Sequence, residues 1–169
     1  MTAAYKCMML GEIGVGKTSI VRRLVLDKFE ADYKATLGVD IYTYSFAEGD
    51  FAGMPVQLAI WDIDGDMGES LFGHIYMQGA SAAVVVGDAS RYSTHQSMLH
   101  IARQFQEFMP GRPLSLVLNK TDLLADTGQI DPAGLGMHGA LVETTSAKTG
   151  ENVGRAFHKL TRQVVERGL

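Results

Sequence analysis

Eight residues constrain this chain more than any others: Gly11-Glu12-Ile13-Gly14-Val15-Gly16-Lys17-Thr18. They fit the pattern G-x-x-x-x-G-K-[ST] and stand between an apolar run, Tyr5–Leu10, and an amphipathic one, Thr18–Lys28. A strand that breaks at a glycine turn and restarts as a helix forms a concave nest of backbone N–H groups. Glycine permits the backbone conformations such a nest needs, and the helix N-terminus adds partial positive charge. That arrangement suits phosphate oxygens. Lys17 is placed to bridge the β- and γ-phosphates of a triphosphate, and the Thr18 hydroxyl to ligate Mg2+. Gly11, Gly14, Val15, Gly16 and Ser19 complete the expected phosphate contacts. The bland alternative is a glycine-rich turn followed by a surface lysine.

Downstream, strand-like and helix-like segments alternate, the mark of a parallel-sheet α/β fold. The run Thr18–Lys28 reads as a helix with Ile20, Leu24 and Phe29 as its inner stripe. Val39–Phe46 and Val56–Trp61 alternate in polarity around a Glu48-Gly49-Asp50 turn and pair as a hairpin. Ala82–Gly87, Leu114–Leu118 and Leu141–Thr144 are apolar and of strand length, and Ser93–Phe108 is helical up to Pro110-Gly111. Asp131-Pro132 opens a helix that Gly134, Gly136 and Gly139 weaken. Val153, Phe157, Leu160 and Val164 stripe a closing helix. The expectation is one domain over residues 1–169 with a P-loop nucleoside-triphosphatase fold. Its sheet has six strands, mostly parallel with one antiparallel, and about five helices cover both faces.

Composition excludes several other classes. A single cysteine, Cys7, rules out an intrachain disulfide framework and any multi-cysteine zinc site. The net charge of −4 argues against a surface that coats nucleic acid. His74, His95, His100, His138 and His158 show no metal-ligand spacing. No apolar stretch approaches the ~20 residues that span a bilayer, and neither end carries a signal or lipidation pattern. A monomeric cytoplasmic protein without a membrane anchor of its own is therefore expected.

A second motif, Asn119-Lys120-Thr121-Asp122, directly follows an apolar run. A carboxylate fixed at a strand end can accept two hydrogen bonds from guanine, at N1–H and the 2-amino group, and adenine offers no such donor pair. Asp122 therefore selects guanine, which disfavours an ATP-dependent kinase or motor. The Lys120 stem could cover the ring, and Ser146-Ala147-Lys148, after the last strand, could close over the base. In isolation the tetrapeptide could be an ordinary polar turn. Between a phosphate loop and S-A-K it is far more specific.

With these motifs in place, the whole chain resembles a Ras-superfamily small GTPase, closest to the Rab branch. Thr36-Leu37-Gly38-Val39-Asp40, Trp61-Asp62 and Glu143-Thr144-Thr145-Ser146-Ala147-Lys148 carry the Rab likeness. The resemblance implies a GTP/GDP switch with bound Mg2+. Loops 29–40 and 62–78 would be read by effectors, exchange factors or GTPase-activating proteins. It implies that Phe29 packs against guanine, although a core position is equally compatible with that residue. Tyr33 and Thr36 match the first switch loop, with the Thr36 hydroxyl on Mg2+. Asp62 matches the acid that holds Mg2+ through water, and Gly65 the glycine whose N–H touches the γ-phosphate. Ile41, Trp61 and Tyr76 match an apolar partner patch, or else simply pack the sheet.

The sequence also departs from the family pattern. Asp66 stands where glutamine usually positions the attacking water. Ionised aspartate only accepts hydrogen bonds and is one methylene shorter. Pointed inward at about 5 Å from a phosphate charge, it would meet repulsion on the order of 3 kcal/mol at an effective dielectric near 20. Slow hydrolysis is therefore expected, with catalysis assigned to Lys17, Thr36, Gly65 and whatever Asp66 retains. The alternative is a non-hydrolysing guanine-nucleotide-binding interaction module. Ile13 replaces the glycine of familiar members, where an incoming arginine would enter. Asp64 gives acids at 62, 64 and 66, but Met67 and Gly73 spoil a calcium loop. Met67–Gly73 departs strongly from the usual second switch, so partner identity does not carry over.

Overall fold

The computed structural model describes residues 1–32, 34–63, 65, 75–126, 128, 130–131, 134–136 and 139–169. Six strands form one sheet: β1 (Ala3–Leu10), β2 (Val39–Ser45), β3 (Val56–Ile63), β4 (Ala82–Asp88), β5 (Leu114–Asn119) and β6 (Ala140–Thr144). Their order is β2-β3-β1-β4-β5-β6. β2 runs antiparallel to β3, and every other pairing is parallel. The described α-helices are α1 (Lys17–Leu26), α2 (Ser93–Phe108) and α3 (Val153–Glu166), with a 3-10 turn at Thr121–Leu123. The helix expected after Asp131-Pro132 falls partly on residues outside the described set.

β4, β5 and the C-terminal half of β1 are buried on both faces because helices cover both sides of a parallel sheet. The alternation along β1 shows this directly. Cys7 and Met9 join Ile20, Val21, Phe157, Leu160 and Val164 under α1 and α3. Met8 and Leu10 join Met98, Ile101, Ala102 and Phe105 under α2. The expected stripe Val153, Phe157, Leu160 and Val164 is fully buried. At 14 residues with apolar positions three and four apart, α3 has the period of a core-facing helix.

The structure moves several boundaries. β1 begins at Ala3 rather than Tyr5, because its pairing with β3 starts at Ala3 opposite Val56. α1 stops at Leu26 rather than Lys28, where Asp27 turns into the left-handed region and donates its N–H to the Arg23 carbonyl. Phe29 therefore lies beyond the helix and is 38% exposed, so it is not part of the inner stripe. Among the described residues no helix is long and apolar enough to cross a membrane.

Candidate nucleotide site

The phosphate-loop residues sit between the C-terminal end of β1 and the first turn of α1, in the centre of the sheet. Gly11, Gly14 and Gly16 all have positive φ, at 142°, 77° and 101°. Two of them have no room for a side chain either. A Cβ on Gly11 would lie 2.4 Å from the Val86 carbonyl oxygen, and one on Gly16 would lie 2.3 Å from Asn119 Nδ2. The glycines are thus required by conformation and by close approach. Val15 is fully buried beneath the loop, and Thr18 and Ser19 occupy the first turn of α1. No side chain caps that helix start. Its first N–H groups, which no preceding turn of helix can satisfy, suit an anion.

Lys17 is buried, and its ammonium donates to the Gly11 and Glu12 carbonyls at 2.7 and 2.9 Å. The cation is therefore held at the mouth of the loop it belongs to. Ser97 on α2 donates to the Glu12 carboxylate and ties the loop to that helix.

Three oxygen-bearing side chains converge beside Lys17. Thr18 Oγ1 lies 2.7 Å from Thr36 Oγ1 and donates to Asp62 Oδ2 at 2.5 Å. Asp62 is fully buried, and its other oxygen, Oδ1, has no hydrogen-bond partner. Burial pushes its carboxyl pKa up, against the Thr18 bond and the Lys17 charge, which pull it down. A buried carboxylate with a bare oxygen, flanked by two hydroxyls, is a donor set for a hard divalent cation. The residues therefore fit Mg2+. Among the described residues, no three His, Cys, Asp or Glu side chains form another metal cluster.

The base-binding candidates lie at the ends of β5 and β6. Asn119 is buried and spans three segments. Its Nδ2 donates to the Val15 carbonyl at 3.1 Å, while Oδ1 accepts from Thr145 Oγ1 at 3.0 Å and the Ala147 N–H at 3.1 Å. One amide thus locks the phosphate loop to the Ser146-Ala147-Lys148 loop. Asp122 Oδ1 accepts from Ser146 Oγ at 2.6 Å, which fixes the carboxylate's orientation. Lys120, itself at φ 68°, donates to the Gly14 carbonyl at 2.6 Å and pairs with Asp88 at 2.8 Å. Lys148 is exposed, and its carbonyl accepts from Arg23 Nη2 at 2.7 Å.

Gly65 presses against the loop from the other side. A Cβ there would come within 2.5 Å of the Ile13 nitrogen. Close approach therefore requires glycine at this position, and the neighbour it meets is the phosphate loop itself. Thr36 is the one half-buried residue among the described positions of 31–37. Tyr33, Asp64, Asp66 and residues 67–74 lie outside the described residues. The partner-surface expectations divide. Ile41 is exposed, whereas Trp61 and Tyr76 are half-buried with ring centroids 6.2 Å apart. Lys6 Nζ sits 3.8 Å from the Trp61 ring centroid and donates to the Tyr76 and Gln78 carbonyls.

The sequence assigns no role to Arg23, Asp88 and Arg91, and Thr145 stands in it only as part of the stretch Glu143–Lys148. Asp88 is 2% exposed and pairs with both Lys120 and Arg91. Burial alone would raise its pKa, but hydrogen bonds from Lys120 and Ser90 outweigh it and hold it at about 2. A signal for it does exist. Asp88 closes the apolar run of β4 as Asn119 closes that of β5, and the two pair in register. Ligands of open α/β sheets bind at these carboxyl ends. For Arg23, which holds the Ala147 and Lys148 carbonyls from across the fold, the sequence offers no signal.

The Ras family profile matches residues 6–166. The chain is 29% identical over 163 residues to Ras-related protein RABF2b of Arabidopsis thaliana, covering 94% of this chain and 80% of that protein. It is 30% identical over 166 residues to a putative Ras-related protein Rab-5B of Dictyostelium discoideum, covering 96% and 76%. To Ras-related protein Rab-32 of Sus scrofa it is 36% identical over 130 residues, 74% of this chain but only 57% of that relative's length.

Proposed function

Since the chain belongs to the Ras family, on its Rab branch, we propose that it is a guanine-nucleotide switch whose own hydrolysis of GTP is slow. The observation that carries the nucleotide reading is Asn119, whose single amide joins the Val15 carbonyl to Thr145 and Ala147. Phosphate cradle and base pocket are thereby built as one unit, the arrangement a nucleotide spanning both would require. Gly11, Gly14, Val15, Gly16, Lys17, Thr18 and Ser19 hold the phosphates. Asn119, Lys120, Asp122, Ser146, Ala147 and Lys148 hold guanine, with Phe29 at its edge.

Asp62, Thr18 and Thr36 hold Mg2+, which supplies positive charge against the phosphates when bound. Lys17 leaves its two carbonyl partners for phosphate oxygens, exchanging neutral acceptors for charged ones. Thr36 and Gly65 bring loops 29–40 and 62–78 to the site, so partners that bind those loops read the nucleotide state. Effectors, exchange factors and GTPase-activating proteins are the partner classes of the family. The exposed Ile41 and Leu37 extend the surface available to them.

Asp66 supports the slow rate, because an ionised carboxylate can neither donate to a phosphate oxygen nor approach one without repulsion. The same residue favours a second reading, a nucleotide-binding interaction module without hydrolysis. Single-turnover hydrolysis of pre-loaded GTP, in the wild type and Asp66→Gln, tests both. A slow wild type and a faster variant are expected. A wild type as fast as Asp66→Gln refutes the slow switch, and no turnover in either protein favours the module.

A further inference from the structure

We infer that Arg91, held by Asp88, is a positioning residue for the bound phosphates, acting through the backbone of the glycine loop. This rests on the reading of that loop as a nucleotide cradle. Arg91 stands just beyond β4, outside every motif described above. Its Nε donates to Asp88 Oδ2 at 3.1 Å, and its Nη2 donates to the Ile13 carbonyl at 3.3 Å. The same carboxylate oxygen receives Lys120 Nζ at 2.8 Å, and Lys120 donates to the next carbonyl along, Gly14, at 2.6 Å. One buried acid thus holds two cations on two consecutive carbonyls of the loop.

A trans peptide is planar, so the C=O of one residue and the N–H of the next point to opposite sides. A guanidinium that fixes the Ile13 carbonyl on its own side therefore fixes the Gly14 N–H on the other, and Lys120 does the same for Val15. Gly14 itself, at a φ of 77°, has no side chain to restrict the peptides on either side of it. Arg91 lies close against that residue, since a Cβ on Gly14 would be 3.7 Å from Nη2. The fork of guanidinium donors can engage acid and carbonyl together, which a lysine ammonium on a flexible stem matches poorly. The Arg91 side chain is 44% exposed, so its removal admits water and leaves no buried void.

The test compares ligands with and without phosphates. Release of fluorescently labelled GDP is timed by stopped flow, and guanosine affinity is measured by isothermal titration, for the wild type, Arg91→Ala and Arg91→Lys. Loss of a partly exposed, charge-assisted bond predicts GDP release about three- to tenfold faster in Arg91→Ala. Guanosine affinity stays within about twofold, because the perturbed N–H faces phosphate and not base. Arg91→Lys falls between the wild type and Arg91→Ala. Unchanged GDP release, or an equal loss for GDP and guanosine, overturns the inference while leaving the nucleotide reading intact. A wild type that binds neither ligand overturns the nucleotide reading first, and the inference with it.

Discussion

Replacing Gly16 by alanine tests whether the two halves of the site are built as one unit. Gly16 has a φ of 101°, and its added Cβ would lie 2.3 Å from Asn119 Nδ2. Two penalties follow. A side chain in this region of backbone space costs about 1–2 kcal/mol. Displacing Asn119 breaks its bond to the Val15 carbonyl and strains those from Thr145 and Ala147, at about 1–3 kcal/mol for buried groups left unpaired. The variant should therefore lose about 2–5 kcal/mol of stability in urea unfolding. It should also release GDP faster.

The decisive measurement repeats the substitution in an Asn119→Ala background. With the amide gone, the next atom the new Cβ meets is Lys120 Cε at 3.9 Å, an ordinary distance. Only the backbone penalty of about 1–2 kcal/mol then remains. Gly16→Ala should thus cost less beside Asn119→Ala than alone, giving a coupling of about 1–3 kcal/mol. Equal costs in the two backgrounds would refute the claim that loop and base pocket meet through this contact.

Three further predictions concern the base, the metal and acid. Asp122→Asn should weaken guanine nucleotides by at least about tenfold and admit xanthine nucleotides, read by competition binding, because the amide now offers xanthine the donor that its extra carbonyl requires. Chelation of Mg2+ should accelerate GDP release, and Asp62→Asn should release GDP quickly even in excess Mg2+, since the bare carboxylate oxygen is lost. Asp88 is held at about 2, and Glu143 lies below its ordinary value because the burial that would raise it is overcome by Lys159 and Arg155. Both folded pKa values lie below the unfolded ones, so their stabilisation is complete above about pH 4.5 and fades as pH falls toward 2. Urea midpoints should drop across that window, and Glu143→Gln should flatten the drop.

The parts of this site that are legible in the sequence are those whose chemistry depends on short spacing. The glycine loop is local: three positive φ angles within six residues leave a pattern no other backbone would need. The buried strands are legible because both their faces are apolar. α2 is legible because Met98, Ile101, Ala102 and Phe105 recur at helical spacing on its buried side. The limits of elements are less clear. The stop of α1 at Leu26 depends on Asp27 adopting a left-handed conformation, which its identity permits but does not require. Phe29 shows the same limit, since an apolar residue just beyond a helix continues the periodic pattern but not the helix. Asp88, Arg91 and Thr145 act across strands, so their partners emerge only when β4, β5 and β6 are set in register.

The only tryptophan in the chain, Trp61, lies on β3 next to the carboxylate assigned to the cation. Its indole is capped by the Lys6 ammonium, which also grips residues 76 and 78 through their carbonyls. A shift of that segment relative to the sheet must drag the ammonium across the ring or release it, and indole emission responds to nearby charge. The protein thus carries its own optical reporter beside Tyr76 and Gln78, so any rearrangement of these two residues against the sheet can be timed in solution without attaching a dye.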